Sequence, residues 1–301
     1  MKNRVTAGSV AFDTLLYIFF GLFTLICVFP FYYIFINTVS ANDLSARGLV
    51  VWYPKGIHFG NFLEVLKLQN LPNAALISLS RTVIGTFLSV LCTSFLGFAL
   101  SRKEMWARKF CYRFFIATMY FNAGIIPWYI TMQNLKLTNN FLAYIIPGMV
   151  GAFNLILVKT YIESIPDSLD ESAEIDGAGY MSRFFRIILP LSKPIIATIA
   201  VFTAVGHWNS YLDTLILMRS QKLFTLQFVL WQYLNQANSA ARILREAAAS
   251  GRVIAANPAA VLTTTTVKMT IAMVVTLPIL IVYPFFQRYF VKGIMIGAVK
   301  G

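Results

Sequence analysis

The sequence predicts an all-α, polytopic membrane protein with six membrane-spanning helices. First, 58% of the 301 residues are hydrophobic and only 12% are charged, whereas soluble domains carry about 25% charged residues. Second, six apolar stretches have close to the roughly 20 residues that a helix needs to cross the hydrocarbon core. Third, Lys and Arg lie between those stretches, which explains the net charge of +13 without a nucleic-acid partner.

Read from charge to charge, the predicted spans are 14–42, 82–101, 114–135, 137–158, 194–212 and 269–287. The first is too long for the apolar region of a signal peptide and no small-residue cleavage site follows it, so we expect it to be retained. The cysteines Cys27, Cys92 and Cys111 form an odd set without CxxC spacing. Neither a disulfide framework nor a metal site is therefore expected.

The short segments between the spans predict the orientation. Segment 102–113 contains five Lys and Arg residues, whereas segment 133–140 contains only Lys136. Because short cytoplasmic loops are enriched in Lys and Arg, segment 102–113 is predicted to be cytoplasmic. With six spans, both termini and the segment 159–193 are then cytoplasmic too. Residues 40–73 and 213–268 are predicted to be external.

The predicted span interiors contain no Asp, Glu or Lys, which disfavours a transporter driven by protons or sodium. Arg81 and Asp213 lie at outer helix ends, where Arg81 can either snorkel to the interface or face a pore. His207 stands alone beside Trp208, and we interpret it as a packed or hydrogen-bonded side chain. The chain has no GxxxxGK[ST] loop, so any ATP hydrolysis requires a separate subunit.

The cytoplasmic segment 163–193, here called the coupling loop, is the most informative part of the sequence. It predicts two short helices joined by a turn, with Ser164 as N-cap, Pro166 in the first turn and Gly177 where the first helix stops. Six acids and no Lys or Arg lie in residues 163–176. Four of them recur at helical spacing and predict one acidic stripe: Asp167, Asp170, Glu171 and Glu174. An anionic leaflet would repel this stripe, so water or a protein partner is expected to cover it.

Three groups of residues give the coupling loop a specific resemblance. Glu171-Ser172-Ala173, Asp176-Gly177-Ala178, and then Phe184 and Pro190 have the spacing of the EAA motif of ABC importer permeases, from which only Ser172 departs. In that family the loop docks into a cleft on an ATPase subunit. The resemblance implies docking by Glu171, Ala173, Asp176, Gly177 and Ala178, with Phe184 and Pro190 as structural supports.

Two further stretches are similar to the maltose-type carbohydrate permeases, in their MalG-like, LplC-type branch: the run WNSYL at 208–212 and the ending GAVKG at 297–301. The resemblance implies a single permease domain over 1–301 with the ABC type I importer fold, in a bacterial cytoplasmic membrane. It implies a second permease, two ATPase subunits carrying ATP and Mg, and an extracytoplasmic sugar-binding protein. This chain itself is expected to be no enzyme and to bind no cofactor. Its tail residues Lys300 and Gly301 are expected at the ATPase interface.

External and intramembrane residues provide candidates for cargo handling. Sugar sites combine aromatic faces with polar groups, and the candidates for the substrate pathway are Asn122, Trp128, Trp208, Asn209 and Tyr211. In the resembled family, the loop at 213–268 contacts the binding protein; the candidate contacts are Asn238, Ser239, Arg242 and Arg245. The external segments carry eleven Lys and Arg against four acids, which favours an acidic oligosaccharide but fits an acidic binding protein equally well.

Together these observations predict the permease subunit of an ATP-driven, binding-protein-dependent oligosaccharide importer that works by alternating access. Two alternatives remain open at this stage. One is an ABC permease for a non-sugar cargo. The other is a passive channel or scaffold without an ATPase, which predicts that the acidic coupling loop tolerates charge reversal.

Overall fold

The computed structural model describes residues 7–67, 70–235 and 258–293. These residues form helices and connecting turns and include no strand, so the predicted all-α class is confirmed. The chain divides into two compact units, and each is considered by itself. The units are Met1–Leu68 with Gln232–Thr276, and Gln69–Trp231 with Leu277–Gly301.

The helices follow one another with short connections. In chain order they are α1 (Ala7–Thr38), α2 (Asn42–Ala46), α3 (Gly60–Leu66), α4 (Leu71–Ser101), α5 (Arg108–Thr118), α6 (Ile125–Asn134), α7 (Ala152–Ile162), α8 (Asp167–Ile175), α9 (Tyr180–Arg183), α10 (Leu189–Leu191), α11 (Lys193–Asn209), α12 (Leu212–Leu217), α13 (226–235) and α14 (Pro258–Gly293). Short 3₁₀ segments lie at Phe141–Tyr144, Ile146–Gly148 and Gln221–Leu223, and Phe184–Ile188 is a π-helical turn.

In the first unit, α1 exposes large apolar side chains along most of its length, among them Phe19, Phe23 and Ile26. A helix that is apolar all round is suited to lipid rather than to water. The end of α1 is held by polar side chains that follow it. Asn61 Nδ2 donates to the Thr38 carbonyl at 2.8 Å, which satisfies one of the carbonyls that a helix end leaves without an intrahelical partner.

The number of spans is only partly resolved by the described residues. Two helices are long and apolar enough to cross a membrane alone, Val10–Thr38 within α1 and the whole of α4. Two further candidates are bent pairs: Phe141–Gly148 with α7, at 48°, and Tyr180–Leu191 with α11, at 82°. The described chain therefore offers two spans, or up to four, and six spans remain a prediction.

Two of the predicted spans are wrong as continuous helices. The stretch 114–135 is divided between α5 and α6, because Gly124 adopts φ +85° and its N–H donates to the Asn122 side chain at 2.9 Å. The stretch 137–158 begins with two 3₁₀ segments, where Pro147 has no N–H to continue a helical ladder. The predicted start of 82–101 is also wrong, since α4 begins at Leu71.

In the second unit, α4 is central and packs against α7 and α11. Glycines allow these helices to approach closely. A Cβ placed on Gly97 would lie 2.8 Å from Val158 Cγ1 of α7. A Cβ placed on Gly85 would lie 2.5 Å from His207 Nε2 of α11. Near the coupling loop, these helices enclose a buried apolar cluster: Phe98, Val158, Ile162, Phe184, Ile188 and Ile199.

Candidate functional site

The coupling loop folds as α8, a glycine turn and α9, which confirms the predicted two short helices. Gly177 has φ +80°, a conformation that L residues with a side chain rarely adopt. The Ala178 N–H donates to the Ala173 carbonyl at 2.9 Å and so closes the end of α8. The predicted N-cap is wrong, because α8 begins at Asp167 and the Ser164 hydroxyl donates to the Tyr161 carbonyl instead.

Most of the acidic side chains of α8 form ion pairs with Arg or Lys side chains of this same chain. Asp170 is 7% exposed; its carboxylate accepts a short hydrogen bond from Arg102 and lies 3.4 Å from Arg183 Nη1. Arg183, also buried, donates to Glu174 at 2.6 Å. We call these four residues, Arg102, Asp170, Glu174 and Arg183, the Asp170 cluster. It ties α8 to the end of α4 and to α9.

Weaker or more exposed ion pairs surround this cluster. Lys103 Nζ lies 3.3 Å from Asp167, with both side chains exposed. Glu163, at the end of α7, accepts from Arg108 at 2.5 Å and from Lys159 at 2.7 Å. Exposed pairs contribute little because water screens them, whereas pairs removed from water depend strongly on both partners. The Asp170 cluster therefore dominates the attachment of α8.

The outward edge of α8 remains exposed. Glu171 and Asp176 form no side-chain ion pair or hydrogen bond within the described part of the chain. Ile175 lies between them and is 87% exposed. Sequence reasoning missed Ile175, although a large apolar residue within an acidic stretch is itself a signal for a partner surface. We call Glu171, Ile175 and Asp176 the α8 edge.

The two predicted structural supports of the coupling loop, Phe184 and Pro190, differ from each other in their packing. Phe184 is buried and its ring lies edge-on to Phe95 at 5.4 Å and Phe185 at 4.8 Å. The Arg102 guanidinium lies 4.9 Å from the Phe98 ring, so the Asp170 cluster and the buried apolar cluster are continuous. Pro190 lies in α10, between the π-helical turn and α11.

The second feature is a cavity of about 670 Å³ within the second unit. Residues of α4, α6, α7, α11 and α12 line it, together with the segments that precede α6 and α7. Its polar and aromatic lining consists of Arg81, Ser89, Asn122, Trp128, Tyr144, Asn154, Thr203, His207, Ser210 and Asp213. We call it the central cavity.

Arg81 lies in the wall of the central cavity and is 2% exposed. Its Nη1 and Nη2 donate to the two Asp213 carboxylate oxygens at 3.2 and 2.5 Å, and the guanidinium lies 4.3 Å from the Tyr144 ring. This two-pronged geometry is the strongest form of an Arg–carboxylate pair. The interpretation that Arg81 snorkels to the interface is therefore wrong, because the side chain is buried in the cavity wall; that it faces a pore stays a prediction.

The predicted pathway residues are not all brought together. Asn122 and Trp128 line the central cavity. Asn209 instead accepts a hydrogen bond from Gln227 at 3.0 Å, and the Tyr211 ring stacks on another aromatic ring, that of Trp231, at 6.0 Å. Trp208 lines a separate apolar cavity beside Pro278 of α14.

Sequence reasoning missed several cavity residues, including Tyr144, Asn154 and Thr203. One available signal was the recurrence of polar or small residues at Thr203, Gly206 and His207, a spacing that places them on one face of α11, with Ser210 directly after the helix. The candidates Asn238, Ser239, Arg242, Arg245, Lys300 and Gly301 lie outside the described residues.

We expect Gly85→Ala to impair both folding and transport, because the new methyl group would overlap the His207 ring and separate α4 from α11. Overpacking of this kind costs about 1–3 kcal/mol. Gly206→Ala, beside His207 on α11, is the matched control, because a Cβ there meets no atom within 4 Å. Thermal melting of the purified complex should show a lower midpoint for Gly85→Ala alone; equal midpoints would contradict the close packing.

The chain matches one family over most of its length. Residues 85–296 match the family described as binding-protein-dependent transport system inner membrane component. The chain is 33% identical to the polygalacturonan/rhamnogalacturonan transport system permease protein YtcP of Bacillus subtilis, over 100% of both chains. It is 34% identical to protein LplC of Bacillus subtilis, over 99% of this chain and 98% of that protein. The maltodextrin transport system permease protein MalD of Streptococcus pneumoniae is 28% identical over 100% of both.

A solved structure supports the same grouping. A chain in the crystal structure of a bacterial ABC transporter involved in the import of the acidic polysaccharide alginate superposes with a TM-score of 0.82 at 28% identity. The match covers 96% of this chain and 100% of that one. The predicted resemblance to ABC importer permeases is confirmed, and with it the expectation that ATP hydrolysis belongs to a separate subunit. This chain belongs to the family of binding-protein-dependent transport system inner membrane components, the permease subunits of ABC importers.

Proposed function

We propose that this chain is the permease subunit of an importer that moves acidic oligosaccharides across a bacterial cytoplasmic membrane by alternating access. The observation that carries the proposal is the match, over the whole chain, to permeases for carbohydrates. Among these relatives, one is named for polygalacturonan and rhamnogalacturonan, and the solved neighbour serves import of an acidic polysaccharide. The two alternatives to this proposal are an ABC permease for a non-sugar cargo and a passive channel.

The lining of the central cavity supports a sugar cargo. Carbohydrates are held by aromatic faces that cover the apolar side of the ring and by polar groups that bond the hydroxyls. Trp128 offers such a face, and Asn122, Asn154 and Thr203 offer donors and acceptors around it. The volume of about 670 Å³ lies within the roughly 300–1,000 Å³ that is usual for small-molecule sites.

The proposed assembly follows the family. Six spans place both termini and the coupling loop in the cytoplasm and residues 213–268 outside, all within one permease domain over 1–301. A second permease completes the pathway, and an extracytoplasmic sugar-binding protein delivers the oligosaccharide. Two ATPase subunits bind ATP and Mg, while this chain binds no cofactor. The docking residues on this chain are Glu171, Ala173, Asp176, Gly177 and Ala178.

The route of coupling follows from the contacts of α8. When the ATPase subunits close, they displace the α8 edge. The Asp170 cluster transmits that displacement to Arg102 at the end of α4. Because α4 also packs on α7 and α11 and carries Arg81 into the cavity wall, its movement alters the shape of the central cavity. A rigid lever of this kind is a recognised means of alternating between two states.

Glu171→Lys tests docking without disturbing the fold, because Glu171 is exposed and forms no ion pair with a described residue. We expect the variant to melt like the parent protein but to lose at least roughly tenfold in uptake, because a like-charge contact at an interface costs several kcal/mol and about 1.4 kcal/mol already corresponds to tenfold. Glu64→Lys, a change at an exposed residue of α3, is the control.

Gly177→Pro should reduce uptake as Glu171→Lys does, since proline fixes φ near −65° where the turn requires +80°. Normal uptake by both coupling-loop variants would defeat the proposal of docking at α8.

The cargo is tested with the complex purified from its native membrane in mild detergent and placed in proteoliposomes. We expect an ATPase and a second permease to co-purify, and a binding protein loaded with oligogalacturonate to stimulate ATP hydrolysis more than one loaded with maltodextrin. If only peptide-loaded binding proteins stimulated ATP hydrolysis, the cargo would be a peptide and not a sugar. Repeated recovery of the folded chain without an ATPase would support the passive channel or scaffold.

A further inference from the structure

We infer that this chain carries a binding site for anionic phospholipid headgroups, separate from the central cavity and from the α8 edge. The site is a cavity of about 690 Å³ between the loop that follows α4, helix α5 and helix α7. Five cationic side chains line it, together with Tyr112: Lys103, Arg108, Lys109, Arg113 and Lys159. We call it the basic pocket.

The charges of the basic pocket are only partly neutralised by the protein. Arg108 and Lys159 share the single carboxylate of Glu163, at 2.5 and 2.7 Å, and Lys103 lies 3.3 Å from Asp167. Lys109 and Arg113 lie one turn apart on the exposed side of α5 and form no ion pair in the described ranges. The pocket therefore retains a net positive charge that an anionic ligand would neutralise.

Lys159 at the base of the pocket is held in place by two neighbouring side chains. The Lys159 side chain is 8% exposed, and its ammonium group lies 4.3 Å from the Tyr112 ring centroid while also donating to Glu163. A lysine held between a carboxylate and an aromatic face loses much of its rotamer freedom before any ligand arrives. The exposed cations at the rim, Lys109 and Arg113, then complete the coordination of a phosphate group.

The apolar residues around the pocket select a lipid over a protein partner. Phe110 lines the pocket and is 71% exposed, Phe114 follows it one turn later, and Trp106 in the preceding loop is 89% exposed. Residues 108–113 of α5 precede the predicted third span, which begins at 114, so they would lie at the membrane boundary. Lys and Arg beside large aromatic residues are typical of a helix end in the membrane interface. The phosphate would sit among the cations and the acyl chains along the phenylalanine rings.

The location agrees with this chemistry. Segment 102–113 is predicted to be cytoplasmic from its five Lys and Arg residues. The cytoplasmic leaflet carries anionic lipids, and basic pockets between helices on that side bind their headgroups. The same pocket adjoins the Asp170 cluster through Lys103, next in sequence to Arg102. A bound lipid would therefore hold the end of α4 at a fixed depth.

The experiment uses the full transporter complex in nanodiscs with a photoreactive phosphatidylglycerol probe, and the labelled peptides are mapped by mass spectrometry. We expect labelling of residues 105–113, and a roughly tenfold or greater loss of it in Lys109→Gln/Arg113→Gln, since each cation near a membrane surface contributes about 1 kcal/mol. The matched control, Arg219→Gln/Lys222→Gln, removes two exposed cations elsewhere and should label residues 105–113 like the parent.

Three results would overturn the inference. Equal labelling of the double variant would show that Lys109 and Arg113 do not bind the headgroup. Equal labelling of residues 105–113 by a photoreactive phosphatidylcholine would show general lipid contact without charge selection. Displacement of the probe by inorganic phosphate at matched anion concentration would show a site for soluble anions in place of lipid.

Discussion

Asp170→Asn is expected to abolish ATP-driven uptake and to lower the melting midpoint of the complex. The Asp170 carboxylate is the acceptor for Arg102 and lies beside Arg183, and the side chains of both arginines are largely buried. Removal of one partner from a buried ion pair leaves the other charge uncompensated and costs about 3–5 kcal/mol. Because this pair joins α8 to α4, we expect ATP hydrolysis to continue while uptake falls to background.

Asp167→Asn is the matched control, one helical turn earlier on the same helix. Its partner Lys103 lies 3.3 Å away and both side chains are exposed, so the pair contributes little to stability. We expect parental melting and uptake from this variant. Coupling would not pass through the Asp170 cluster if the two variants transported equally well.

The second large effect is expected from Arg81→Met. This variant leaves the Asp213 carboxylate in the cavity wall without its guanidinium, again at a cost of about 3–5 kcal/mol. The double variant Arg81→Met/Asp213→Leu removes both charges, and replacement of a whole buried pair by apolar side chains is often neutral. Thermal melting should therefore show a large loss in the single variant and recovery in the double variant.

A measurement of sugar uptake distinguishes a structural role of the Arg81–Asp213 pair from a role in the substrate pathway. We expect the double variant to remain defective in sugar uptake, because the central cavity loses the polar groups on one wall. Recovery of both melting and uptake would mean that Arg81 and Asp213 act only as a structural pair.

The coupling loop was predictable where its structure is local. The glycine turn depends on one residue that tolerates a positive φ, and Gly177 stands at the spacing that ends α8. The acidic stripe was less well predicted, since helical spacing says which residues share a face but not what covers it. Asp170 is covered by Arg102, which lies 68 residues earlier in the sequence. No local pattern contains that contact.

The spans, like the coupling loop, were predictable where the local sequence determines them and not where a distant residue does. A charge-to-charge reading places a helix end at Arg81, yet α4 continues through it because Asp213, 132 residues away, neutralises the guanidinium. Average hydropathy also fails to predict the helix break at Gly124. The positive φ of this one residue interrupts the helix, although the residues on both sides are apolar.

The cavity was predicted in part by its chemistry. Aromatic and amide side chains within apolar segments identified Trp128 and Asn122 as candidates for the substrate pathway, and both line the central cavity. The same criterion selected Tyr211, whose ring is already occupied by stacking on Trp231. It missed Tyr144, which lines the cavity from a short 3₁₀ segment before α7 and not from a continuous α-helix. Residue type indicates what a side chain can bind, while the backbone path decides whether it faces the cavity.

The most direct test of the coupling account is photo-crosslinking from the α8 edge in the assembled complex. A photoreactive amino acid at position 171 should form an adduct with the ATPase subunit, while the same group at position 222, in the predicted external loop, should form none. An intact complex that gives no ATPase adduct from position 171, or equal adducts from both positions, would contradict the docking of α8 on the ATPase.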